Sequence, residues 1–248
     1  MQDFGLVPRV RRKVNWRTDI QLSIRDRARL NYLEQMGDIR AVYTAAATVA
    51  VELIERPEIV ARWGDPSVLD GMTIGSLAAH LARSILQVGW FLDGDITNVA
   101  EPVSATTYYA RLAGTTDKVS ALNSGVEARS AETAILGAQQ VATEARASLE
   151  QLSVRLPTEA VNRRVAVAHR PGEEIFLDEY LRTRLVELAV HTDDLALSIG
   201  VTATVPMAAI SAAVDLLVAA ARERHGDIAV LQALARRERD TVMALRVL

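Results

Sequence analysis

Of the four histidines in the chain, His191 has the most suggestive neighbour. It follows Glu187 by four positions, so on a helix a carboxylate oxygen and an imidazole nitrogen would stand one turn apart. Two groups so placed can share one ion. Metal sites inside helical bundles are assembled from such pairs on facing helices, so a second helix must supply more. His80, inside another strongly helical segment, is the candidate. Two histidines and one carboxylate suit zinc, nickel or ferrous iron, with both rings neutral. Three protein ligands leave a coordination position open, as in catalytic sites. The pattern also admits plainer readings: Glu187 and His191 as an exposed ion pair, and His80 as a surface residue.

Other residues are candidates for supporting roles. Arg184, Glu187, His191, Asp194 and Ser198 fall three or four apart and line one face of an otherwise apolar helix. A buried stripe of ionisable groups needs partners. Arg184 and Asp194 would then steady the ligands or meet an anion. Arg83, one turn beyond His80, could orient an anionic ligand. His169 lies in a loop; it is a substrate contact or fourth ligand if that loop covers the bundle mouth, and a surface residue otherwise. His225 reads as structural, at a helix C-terminus where positive charge is favoured.

The elements that must position these groups are helices. Apolar spacing marks helices over about 38–55, 74–92, 130–155 and 175–199, with further ones over 206–224 and 227–246. Thr73 is a plausible N-cap for the second, and Gly75–Ser76 reads only as its first turn. A short helix is expected within 104–128. Alternation over 164–168, followed by Pro171–Gly172, suggests a short strand or hairpin before the fourth core helix. The fold class expected is all-α, an antiparallel four-helix bundle with additional C-terminal helices. Residues 1–35 read as an N-terminal extension, and 36–248 as the bundle domain.

Composition agrees. Half of the 248 residues are apolar and only 4% aromatic, so the core is built from small and straight-chain residues that favour helix. Net charge is −3, with both signs mixed along the chain, which argues against a nucleic-acid surface. The basic run Arg9, Arg11, Arg12, Lys13 and Arg17 reads as a solvated arm or a contact with an acidic partner or another subunit; a homodimer is a reasonable assembly. With no cysteine, thiolate metal sites and cysteine nucleophiles are excluded, so any thiol in the chemistry comes from a small molecule. No secretory signal or long apolar span is present, and a cytoplasmic location without membrane contact is expected. Phosphate-binding glycine loops, HExxH and GxSxG are absent.

The segments 73–83 (TIGSLAAHLAR) and 184–196 (RLVELAVHTDDLA), the latter followed by Gly200, resemble paired motifs of the mycothiol-dependent maleylpyruvate isomerase N-terminal domain, within the DinB-like superfamily. Trp63, the Pro-Ser at 66–67 and the run 233–239 (ALARRER) fit as well, and the resemblance covers roughly 36–248. It implies a DinB-like bundle holding a divalent metal, usually zinc, on His80, Glu187 and His191. It also implies mycothiol or a similar thiol as cosubstrate. In the namesake reaction the thiol adds to a cis double bond, the adduct rotates, and elimination leaves the trans isomer. This chain departs from that enzyme in its N-terminal extension and in ending with helices instead of a mixed α/β domain. The function expected is therefore a metal-dependent enzyme of isomerase or S-transferase type, acting on a small thiol and an electrophilic substrate. A non-catalytic metal-binding module, serving as sensor or scaffold, and a metal-dependent hydrolase are the alternatives.

Overall fold

Side-chain caps set four of the described helix starts. In a computed structural model, the described residues are 38–97, 99, 101–112, 120–167, 170, 172–235 and 245. Helix α1 (Ile39–Ile54) begins at Asp38, whose side chain accepts from the Arg40 amide. Asp38 adopts a left-handed conformation, which a short polar side chain tolerates. Helix α2 (Pro57–Ala61) starts on a proline, whose missing N–H costs nothing there. Helix α3 (Ile74–Leu92) is capped by Thr73, α4 (Ala105–Ala110) by Ser104 and α5 (Ala121–Ala134) by Ser120. In each, the hydroxyl accepts from the amide three residues on. Helix α6 spans Ala138–Arg155 and continues into a 3-10 turn over Leu156–Thr158. Helix α7 (Leu177–Ile199) stops at Gly200 in the left-handed region, as helices commonly do. Helices α8 (Met207–His225) and α9 (Asp227–Ala235) complete the described elements.

The expected all-α fold is present, with two corrections to its boundaries. The helix read over 130–155 is two helices, α5 and α6, because the chain turns at Gly137, where φ is +85°. Helix α7 begins two residues later than periodicity suggests, because strand β2 (Glu174–Phe176) occupies its approach. That strand pairs antiparallel with β1 (Arg164–Ala166), with Val165 opposite Ile175. The expectations for residues 1–35, for His169 and Pro171, and for a last helix beyond Ala235 fall on residues outside the described set.

Helices α1, α7, α3 and α6 pack in that order around the core, closing a four-helix bundle. Tyr43, Leu77, Leu81, Ile85, Leu181, Leu185 and Leu188 are fully buried between them. Ala46, Ala47, Ala50 and Ala78 let the backbones approach closely. Each buried leucine stabilises by about 1.5–3 kcal/mol over its exposed state. Helices α3 and α7 run antiparallel: His80 meets Glu187, Gln87 meets Arg184, and Phe91 meets Tyr180.

Two peripheral helices flank this pair. The six-residue α4 is too short to hold itself. Glu179 of α7 accepts from the Ala105 amide at its start, and Arg224 of α8 donates to the carbonyls of Tyr109, Ala110 and Leu112 at its end. Helix α5 lies against α3. The Trp63 indole donates to the Ala134 carbonyl at its end. Trp63 also explains Gly75: a Cβ there would lie 2.6 Å from the indole ring. This glycine, read from the sequence only as helix entry, is a point of close approach.

Candidate metal centre

Three donors converge between α3 and α7. His80 Nε2 lies 3.4 Å from Glu187 Oε2, and His191 Nε2 lies 3.5 Å from the same oxygen. The two imidazoles meet edge to face, with centroids 4.6 Å apart. One ligand atom from each residue lies within 4.8 Å of the others. The sequence placed Glu187 and His191 together through i, i+4 geometry and named His80 as the third donor; the α3–α7 crossing brings His80 to them.

Hydrogen bonds around the donors assign the protons. Ser130 of α5 donates to the Val126 carbonyl at 2.7 Å, so its oxygen is free to accept from His80 Nδ1 at 3.2 Å. Asp194 Oδ2, an acceptor only, lies 3.1 Å from His191 Nδ1. Both rings therefore carry a proton on Nδ1 and direct Nε2 towards Glu187. On Glu187 the Tyr109 hydroxyl donates to Oε1 at 2.7 Å, with the Thr183 carbonyl a second acceptor at 3.1 Å. Arg184 Nη2 stands 3.9 Å from the same Oε1. One carboxylate oxygen is thus held by the protein and the other faces both histidines.

This donor set fits a divalent ion. Two lone-pair nitrogens aimed at a carboxylate oxygen repel one another unless a cation lies among them. Ligands of a tetrahedral ion at ~2.1 Å stand ~3.4 Å apart, which matches the separations of 3.4 and 3.5 Å from Glu187 Oε2 to the two imidazole nitrogens. Each ring nitrogen not used for binding has an acceptor, the arrangement that orients metal-ligating histidines. Side chains of His80, Glu187 and His191 are only 16, 15 and 16% exposed, so the donors are mostly desolvated.

Electrostatics separate the two histidines. Burial is the largest influence on His80 and holds its pKa below the usual value, so it is neutral. Burial also opposes charge on His191, but hydrogen bonds to Asp194 and Glu187 outweigh it and raise the pKa to about 9. For Glu187, burial opposes ionisation, yet the two histidines and Arg184 hold its pKa well below the usual carboxylate value. Without an ion, a proton on His191 bridges to Glu187 in its place.

Among the other sequence candidates, Asp194 and Arg184 lie at the centre as described. Arg83 instead turns towards α5 and Trp90: Nη1 is 3.3 Å from Thr133 Oγ1, and the guanidinium sits 5.5 Å from the Trp90 ring. Ser198 lies at the far end of the stripe, accepting from the Val68 amide. Tyr109 and Ser130 escaped the sequence reading. Helix α5 has no apolar stripe and buries only Ser130, so periodicity carries no trace of what it touches.

Residues 43–196, more than half the chain and including all three donors, match the domain family described as Mycothiol maleylpyruvate isomerase N-terminal domain. The chain belongs to this family. It is a DinB-like domain, and the helical bundle seen here is the fold expected of it. Comparisons with curated proteins and with solved structures return no match. Within the family domain of this chain, the α3 histidine and the α7 Glu–His pair are brought together as one group that could hold a metal.

Proposed function

We propose that this maleylpyruvate isomerase-family domain is a divalent-metal enzyme, with zinc as its ion, that acts with a low-molecular-weight thiol of the mycothiol type in isomerase or S-transferase chemistry. The observation that carries the reading is the convergence of His80 Nε2, His191 Nε2 and Glu187 Oε2 on one point, each with its remaining polar atom tied back to protein. Nickel and ferrous iron accept the same donors, but the two ligand separations suit a tetrahedral ion.

A bound divalent ion would supply Lewis acidity, lowering the pKa of a thiol at its open position. The protein's own groups do the rest. Ser130 and Asp194 fix the ring orientations and tautomers. Tyr109 holds Oε1 of Glu187 so that Oε2 alone faces the histidines. Because the chain has no cysteine, the thiol must be brought in. Among the described residues the group that could hold an ion comprises these three donors.

Elemental analysis of protein purified without added metal tests this directly. About one zinc per chain is expected, lost in His191→Ala, together with thermal stabilisation by mycothiol and not by its S-methyl derivative. Protein that folds without metal and ignores thiols would overturn it. Turnover of ester substrates that is indifferent to thiol would instead mark a hydrolase.

A further inference from the structure

Helix α5 is held to the molecule differently from the bundle helices. It has 14 residues, yet it buries only Ser130, and none of its side chains joins the hydrophobic core. Gly125 stands in its interior, where glycine disfavours helix. A helix of this length is marginal by itself, so its contacts must hold it. It lies against α3, and polar contacts tie it there. Ser130 Oγ stands 3.2 Å from His80 Nδ1, and Arg83 Nη1 stands 3.3 Å from Thr133 Oγ1. The Trp63 indole donates to the Ala134 carbonyl, three residues before the chain turns at Gly137. Elements that bury little apolar surface open at the low end of a protein's range of free energies.

One of these contacts reaches a metal donor from behind. With an ion on Nε2, the His80 proton is on Nδ1 and goes to the Ser130 oxygen, whose own hydrogen goes to the Val126 carbonyl at 2.7 Å. Every group then has a partner. Without an ion, Nε2 faces an acceptor, Glu187 Oε2, at 3.4 Å. The neutral ring gains by carrying its proton on Nε2 and donating it to the carboxylate. The ring stays neutral, but Nδ1 has become an acceptor set against the Ser130 oxygen. Ser130 must then turn its hydroxyl to Nδ1 and give up Val126, or lose the contact. The loaded centre therefore favours the docked α5 more than the empty one does.

We infer that α5 is a metal-responsive latch: it docks on α3 when a divalent ion occupies the His80, Glu187 and His191 centre and loosens about Gly137 when the centre is empty, with Ser130 the positioning residue that couples the two. Linkage is reciprocal. The factor by which the Ser130 contact strengthens metal binding is the factor by which metal strengthens α5 docking. A partner of a ligating histidine is worth about 10- to 100-fold, so a shift of about ten-fold is expected. Such a shift is visible only in an element whose docking is marginal. Helix α6 is the contrast: it buries Val141, Ala142, Ala145, Leu149 and Leu152, and has no such link to a metal donor.

The inference rests on the metal-dependent reading above, and zinc content, read first, separates the two. Hydrogen exchange of the full chain is followed by mass spectrometry, stripped of metal and loaded with zinc. In the stripped protein, peptides from 121–134 should exchange faster than those from α6, and zinc should slow them about ten-fold. In Ser130→Ala at saturating zinc that slowing should be lost, with helical content by circular dichroism maintained. Thr133→Val removes the contact with Arg83 and leaves His80 alone. It should speed α5 exchange in both states and keep the zinc effect. Bound zinc that leaves α5 exchange unchanged overturns the latch. So does slowing of equal size in Ser130→Ala, which would mean general stabilisation, and so does loss of the zinc effect in both variants, since the coupling would not run through Ser130. A chain that takes up no zinc removes the metal reading and the latch with it; zinc taken up without a change in α5 removes the latch alone.

Discussion

The hydroxyl of Ser130 lies 3.2 Å from Nδ1 of His80, and Ser130 is the single residue that α5 buries. A whole helix is thus anchored beside the bundle at a polar contact that sets the tautomer of a candidate ligand. Ser130→Ala should leave the fold intact but free the ring. Partners of this kind are commonly worth 10- to 100-fold in metal affinity, so a loss of about ten-fold is expected. Competition with a fluorescent zinc chelator measures it; unchanged affinity would remove Ser130 from the site.

Tyr109 gives a matched test from the other side. Tyr109→Phe removes the donor to Glu187 Oε1 and leaves a mostly buried carboxylate oxygen short of a partner. Zinc affinity should again fall about ten-fold. The metal-free protein should lose about 1–2 kcal/mol, read by urea denaturation.

Metal binding should release a proton at neutral pH. His191, with its pKa raised to about 9, is charged at pH 7 in the metal-free protein and must be neutral to ligate; His80 is already neutral. Its partners are Asp194 and Glu187, with His80 beside it and Arg184 across Glu187. Zinc calorimetry in buffers of different ionisation enthalpy should give about one proton released at pH 7, falling towards none above pH 9. The sign for metal-free stability follows. The contribution of His191 is full below its unfolded pKa, about 6.5, and is lost as pH rises through about 9. That of Glu187 is present above its unfolded pKa, about 4.5, and is lost in stronger acid.

Arg40 is a structural counterpart. Its guanidinium is paired with Asp178 at 2.7 Å and donates to the carbonyls of Leu156, Glu159 and Ala160, tying α1 to α7 and to the end of α6. Arg40→Ala leaves these acceptors without their donor and should cost about 3 kcal/mol. For a domain of this size that is a melting-temperature drop of roughly 6–12 °C, seen by calorimetry. Zinc stoichiometry should not change.

Gly75→Ala should also destabilise, although alanine is the better helix former. The added methyl would meet the Trp63 ring at 2.6 Å, and displacing the indole breaks its bond to Ala134. A cost of about 1–3 kcal/mol is expected. Trp63→Leu should relieve part of it in the double variant, measured as a coupling energy by urea denaturation.

The sequence by itself determined the all-helical class, the span of α3, and the shared face of Arg184, Glu187, His191 and Asp194 on α7. These follow from a local rule, the 3.6-residue period of a helix acting on apolar and polar residues. The family resemblance was read from two such local strings, at 73–83 and 184–196. Where a local rule was overridden, the reading slipped: one glycine in a positive-φ conformation split the helix at 135–137, and strand pairing took the residues before α7. Periodicity could not bring His80 to Glu187, which the family motifs implied and the crossing of α3 and α7 shows. Tertiary structure alone brought Tyr109 and Ser130 to the ligands, the one from a six-residue helix and the other from a helix that buries no apolar face. It also gathered four tyrosines around Arg184, from positions as distant as 43 and 180. Hydroxyl contacts of this kind have no sequence period, because each is set by where two packed elements meet and not by the repeat of either one.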